Sequence, residues 1–129
     1  MRILKVATRL SKKDLILAIE SSCDDSCLSI IDKNLNIIYS KKYSQKGIHI
    51  PFGGVVPQLA AQAHRQSFDR ITRDRTLNAI IKNNNFKYIA FTAGPGIGNC
   101  LNAGFELAKS LARISGADLL PINHLVSFG

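Results

Sequence analysis

Residues Leu15–Glu20, LILAIE, form an apolar run that stops abruptly at small polar residues, and such a run reads as a buried strand. It is the first of five. Cys27–Ile31 and Ile37–Tyr43 follow, joined by Asp32–Asn36, where Asp and Asn side chains can bond nearby backbone and tolerate left-handed geometry. Tyr88–Thr92 and Ala117–Ile122 are the last two, and Pro121 puts the fifth strand at a sheet edge or frays it, because proline donates nothing to a ladder. Between the third and fourth strands, Gln58–Arg75 repeats apolar residues at helical spacing through Leu59, Ala60, Ala63, Phe68 and Ile71. Leu77, Ile80 and Ile81 fall out of phase with that stripe, so a break near Asp74–Thr76 and a short second helix to about Lys82 are expected. Asn99–Ile114 is a further helix, ended by Gly116. Three strands, helices, strand, helix, strand is the order of a three-layer α/β lobe, with a meander followed by crossovers.

The remaining features bound the class. At 129 residues, 46% hydrophobic and 20% charged, the chain suits one globular domain with its own core. No apolar run reaches the ~18 residues that would span a bilayer, so no membrane partner is expected. Cys23, Cys27 and Cys100 are odd in number and contain no C-x-x-C pair, which fits a reducing compartment and argues against a zinc ribbon. The net charge of +8 is uneven: Arg2, Lys5, Arg9, Lys12 and Lys13 stand in residues 1–13 without one acid. Residues 1–14 therefore read as a basic leader or tail, either an organelle transit peptide or a plain extension, and 15–129 as the folded lobe. A second basic stretch, Lys41–Arg75, suits a polyanion such as RNA or a solvated basic face.

Four segments could carry chemistry. Glu20–Ser26 (ESSCDDS) follows a buried strand, and a turn of carboxylates, hydroxyls and outward N–H groups can hold a phosphate or a metal-bound water. Phe52–Pro57 (FGGVVP) leads into a helix N-terminus, with Gly53 and Gly54 opening backbone angles closed to other residues. Thr92–Gly98 (TAGPGIG) is a tight strand–helix junction whose spacing is neither the dinucleotide fingerprint nor the Gly-Lys-Ser/Thr phosphate loop. Asn123-His124 lies just past a strand's carboxyl end, where α/β sheets bind ligands. Taken singly, each also suits a plain turn, loop or junction.

Together and in order, LAIESSCDDS, FGGVVPQLAAQAH, FTAGPGIGNCL and LLPINH resemble the N-terminal half of the TsaD (Gcp) family, in its bacterial and organellar branch, over about residues 15–124. The resemblance implies a ribonuclease-H-like lobe of the actin-like ATPase (ASKHA) fold, a mixed sheet flanked by helices. It implies a transferase that moves threonylcarbamoyl from threonylcarbamoyl-AMP to N6 of adenosine in tRNA. Glu20, Ser22, Asp24, Asp25, Gly53, Gly54, Thr92, Gly94 and Gly96 would line the substrate cleft. His124 would open a His-x-x-x-His pair for one divalent ion, iron or zinc. The chain departs from the family at Phe128, which stands at the second histidine position, and at Gln58, where the family usually has glutamate. The family's later aspartate ligand and nucleotide loops, and its second lobe, fall beyond Gly129. The chain alone is therefore expected to be inactive. Its alternative readings are a non-catalytic interaction module, as a homodimer or a subunit of a Gcp-family complex, and a fragment of a longer gene. Its location is expected to be mitochondrial, or otherwise cytoplasmic.

Overall fold

The computed structural model describes residues 14–21, 25–44, 57–94 and 98–123; for 57–61 and 98–100 it describes the backbone alone. Among the described residues, five strands and three helices follow in the expected order: β1 (Asp14–Glu20), β2 (Asp25–Ile31), β3 (Ile37–Ser44), α1 (Pro57–Thr72), α2 (Arg75–Asn83), β4 (Asn85–Gly94), α3 (Gly98–Ser115) and β5 (Asp118–Asn123). One mixed sheet has the order β3-β2-β1-β4-β5. The meander β1-β2-β3 is antiparallel, while β4 runs parallel to β1 and β5 parallel to β4. The first strand is therefore the centre of the sheet, consistent with its lack of polar interruptions. Pro121 sits in the edge strand β5, as its missing donor requires.

Alternation along the strands divides the apolar side chains between two faces. Leu15, Leu17 and Ile19 of β1, with Leu28, Ile30, Tyr39, Ile89 and Phe91, form one core with Phe68 and Ile71 of α1, Leu77 of α2, and Ala103, Ala108 and Leu111 of α3. Ile16 and Ala18 of β1 form a second cluster on the other face with Ala90, Leu120 and Ile122. All three described helices lie on the first face. The third layer expected from the sequence is not among the described elements.

Element boundaries follow local chemistry. Gly116 adopts φ 72° after α3 and donates its N–H to Ala112 O at 2.8 Å, closing the helix in the left-handed geometry that glycine adopts without strain. In the β2–β3 turn, Asp32 Oδ1 accepts from the N–H groups of Asn34 and Asn36 at 2.8 and 2.9 Å. These bonds, that from Asn36 foremost, hold its carboxyl below the usual carboxylate range. The left-handed residue of this turn is Leu35 at φ 64°, rather than an Asp or Asn as turn chemistry suggested. β4 begins at Asn85, three residues earlier than expected, because Phe86 alternates inward between exposed Asn85 and Lys87. Asn84 alone separates α2 from β4.

The break between α1 and α2 is an N-cap. Asp74 has extended backbone angles and its side chain accepts from Thr76 N. Its Oδ2 also accepts from Tyr39 Oη at 2.6 Å, tying the cap to β3. The hydrogen bond from Tyr39 holds the Asp74 carboxyl below its usual range. Burial, then the contact with Asp74, pushes the Tyr39 phenol up. A lowered carboxyl contributes stability above its unfolded pKa and loses it as pH falls through the folded value. A raised phenol contributes fully below about pH 10 and loses it as pH climbs beyond that. Tyr39→Phe is therefore expected to lower the melting temperature by roughly 3–6 °C at neutral pH. The difference from wild type should shrink in acid and above about pH 10. Calorimetry of both proteins from pH 3 to 11 checks this, and a pH-independent difference would reject the pairing.

Candidate functional site at the carboxyl edge of the sheet

Because β1, β4 and β5 are parallel, their carboxyl ends meet at one edge of the sheet. Register places Ile19 opposite Phe91, Thr92 opposite Ile122 and Gly94 opposite Asn123, so Glu20, Thr92, Gly94 and Asn123 share that edge. β2 starts there at Asp25 and β3 ends there at Ser44. α3 starts three residues after β4 ends, so its N-terminus begins on this side of the molecule. In an open α/β sheet this is where ligands bind.

At the middle of the edge, Thr92 Oγ1 lies 3.0 Å from Glu20 Oε2 and 3.3 Å from Ile19 O, and its single hydrogen is shared between the two acceptors. Both side chains are buried. A carboxylate fixed on one oxygen by a neighbouring strand can accept a hydrogen bond from a substrate or orient a water there. Asp25 is at the same edge, but its Oδ2 lies 3.3 Å from Lys42 Nζ, turned toward β3 and away from β4. The structure thus brings Glu20, Thr92 and Gly94 together and places Asp25 to one side. Ser22, Asp24, Gly53, Gly54, Gly96 and His124 lie outside the described residues. No group of three or more His, Cys, Asp or Glu among the described residues could hold a metal ion. A concavity of about 500 Å³ lined by Leu15, Asp32, Ile38, Lys82 and Asn83–Asn85 lies at the opposite end of the sheet.

Two buried contacts support the edge from behind. Ser26 Oγ and His64 Nδ1 are 2.6 Å apart, both residues fully buried, so α1 holds the start of β2. The imidazole also stacks on Phe68 one turn later, with centroids 6.1 Å apart. Ser21, just past β1, faces α3 at Gly104: a Cβ there would collide with Ser21 Oγ and lie 3.2 Å from Ser21 Cβ. His64 thus packs inside the fold, against Ser26 and Phe68. Its partner Ser26, and the roles of Ser21 and Gly104, escaped sequence reasoning. Their only signal is the small, polar character of residues bracketing segment 22–24, which points at no particular helix.

The family described as "tRNA N6-adenosine threonylcarbamoyltransferase" (TsaD) matches this chain over residues 36–128. The chain belongs to the TsaD family. A Campylobacter jejuni protein named tRNA N6-adenosine threonylcarbamoyltransferase is 47% identical over 114 residues, covering 88% of this chain and 33% of that protein. One of the same name from Pelagibacter ubique is 40% identical over 120 residues, 90% of this chain and 34% of that one. This chain therefore spans about a third of the length of these TsaD relatives. Among solved structures, YeaZ from Pseudomonas aeruginosa superposes with a TM-score of 0.59 at 16% identity, over 85% of this chain and 43% of that one. RuvC from T. thermophilus does so with a TM-score of 0.51 at 6% identity, over 87% and 66%. These likenesses establish the fold: a ribonuclease-H-like lobe of the actin-like ATPase class, as the resemblance implied.

Proposed function

We propose that this chain forms the N-terminal wall of a TsaD active site, and that the carboxyl edge of β1, β4 and β5 faces threonylcarbamoyl-AMP. The observation that carries this is the Glu20–Thr92 pair, buried where two central parallel strands end, with α3 starting three residues after β4. The N-terminus of α3 favours the adenylate phosphate, and the carboxylate accepts a donor from the bound nucleotide or its water. In the reaction the adenosine N6 attacks the carbamoyl carbon. The new C–N bond forms as the bond to the phosphate oxygen breaks, AMP leaves, and N6 loses a proton. The exposed Arg65 and Arg70 of α1 and Lys41 of β3 supply positive charge for the tRNA backbone, with Arg70 lying 5.9 Å from the centre of the Tyr43 ring. The metal of the family does not fit this chain's residues: His124 is one imidazole and Phe128 has no lone pair for a second bond. No step is therefore assigned to an ion. Phe128 also favours a second reading, a non-catalytic module that presents this lobe to another Gcp-family subunit.

A chimera separates the two. Residues 1–123 of this chain are joined to the remainder of the Campylobacter jejuni relative, which then supplies its own residues from position 124 on. With threonylcarbamoyl-AMP and tRNA, the isolated chain is expected to give no modified nucleoside above a no-protein control by chromatography. The chimera is expected to give it, and Thr92→Val in the chimera to slow it about 10-fold or more. A folded but inactive chimera would favour the interaction module.

A further inference from the structure

The start of β3 carries more exposed apolar surface than its place in the fold explains. Leu35 is 39% exposed, Ile37 70% and Ile38 46%; the other exposed large hydrophobics among the described residues, Ile114 and Leu119, lie elsewhere. Leu35 holds left-handed backbone at φ 64°, a conformation costly for a branched side chain, and gains no burial in return. Ile37 pairs with Ile31 of β2, while Ile38 is the extra residue of a bulge beside that pair and lines the concavity at the amino end of the sheet. That concavity, about 500 Å³, adjoins a second of about 450 Å³ along α2, the two sharing Asn83 and Asn84. Lys82 lines the first and Arg75 the second; both are exposed, and neither has an ion-pair partner among the described residues. The one acid lining them, Asp32, is engaged in its own turn. Its Oδ1 accepts from two backbone N–H groups and its Oδ2 from Asn36 Nδ2 at 3.1 Å.

We propose that this end of the sheet docks an extended segment of a partner protein, in which an apolar pair is flanked by carboxylates. β3 is an edge strand of the described sheet, so its outer side offers backbone groups to an added strand. Its second half is guarded by exposed Lys41 and Lys42, charges that discourage chance pairing, whereas its first half presents Ile37 and Ile38. Apolar side chains of the partner cover these two. Its carboxylates meet Lys82 and Arg75, and the exposed amides of Asn83 and Asn85 bond its backbone. Charge selects this occupant over a second copy, which would bring its own lysines to the same place. The isoleucines select it over RNA, whose phosphates gain nothing from them. The surface lies at the far end of the sheet from Glu20 and Thr92, so docking here is independent of the activity proposed above.

An NMR titration of the isotope-labelled full chain tests this, with three peptides and unmodified tRNA as probes. Glu-Glu-Val-Ile-Glu-Glu is expected to shift the amides of Asp32–Ser40 and Lys82–Asn85. It is expected to bind about 10-fold or more tightly than Lys-Lys-Val-Ile-Lys-Lys or Glu-Glu-Ser-Ser-Glu-Glu. Ile37→Ser with Ile38→Ser and, separately, Arg75→Ser with Lys82→Ser are each expected to weaken it about 10-fold or more. Thr92→Val is expected to leave it unchanged. Equal binding of the three peptides, no shift at these amides, or a stronger response of the same amides to tRNA would overturn the proposal. So would light scattering that gives a dimer in which Ile37 and Ile38 are shielded. Loss of peptide binding in the folded chimera would do the same, since the rest of a TsaD chain would then be the occupant.

Discussion

His64→Ala is expected to lose roughly 3–5 kcal/mol of folding stability, a large share of the 5–15 kcal/mol typical of a domain. Two effects add. Removing a fully buried imidazole leaves a cavity between α1 and the sheet, where Phe68 loses the ring it stacks on. Ser26 Oγ, buried and 2.6 Å from Nδ1, loses this partner in a place water does not reach. Ser26→Ala alone removes no comparable volume and is expected to cost about 1–2 kcal/mol. Urea denaturation of the two single variants and the double variant gives the coupling. We expect at least ~1 kcal/mol, because the residues are in direct contact. Additive losses would show that the 2.6 Å contact contributes nothing specific and that His64 merely fills space.

Gly104→Ala is expected to destabilise the chain by about 1–3 kcal/mol, against the ordinary trend for a helix interior, where the change gains about 1 kcal/mol. The reason is where α3 crosses the end of β1. The added methyl would collide with Ser21 Oγ and lie 3.2 Å from Ser21 Cβ and 3.4 Å from Ile19 Cγ2, among buried groups with little room to yield. Among the described residues Ser21 Oγ has no hydrogen-bond partner, so Ser21→Ala alone should be neutral or slightly stabilising. The double variant Ser21→Gly with Gly104→Ala removes the obstruction and should recover most of the loss. Thermal unfolding of the set decides the matter. A stable Gly104→Ala single variant would mean that the helix and strand separate easily at this crossing.

The elements were legible because their signals are local. LILAIE, the phase slip after Ile71, Gly116 after the last helical turn and Pro121 at an edge each declare themselves within a few residues. Strand ends moved outward where alternation outlasted the apolar run, as at Phe86 and at Asp25–Ser26. The edge site was legible in part. Glu20 and Thr92 stood out as residues closing strands, but their contact spans 72 positions and depends on β4 lying beside β1. The supporting pairs are hidden for the same reason. Tyr39 and Asp74 are 35 positions apart, Ser26 and His64 are 38, and nothing near any of the four names its partner.

The central place of β1 also bears on how the chain is made. Its pairing with β2 completes early, since four residues separate the two strands. Its other edge waits for β4, whose Thr92 is 72 residues downstream of Glu20. At ordinary synthesis rates that interval is roughly 4–14 s. Throughout it, an apolar strand offers unpaired backbone groups to any other chain nearby. Lys12, Lys13 and Asp14 on one side, with Glu20, Asp24 and Asp25 on the other, put charge at both ends of the run. Charges so placed set like against like in a parallel, in-register pair of nascent copies and discourage that pairing until the rightful neighbour emerges.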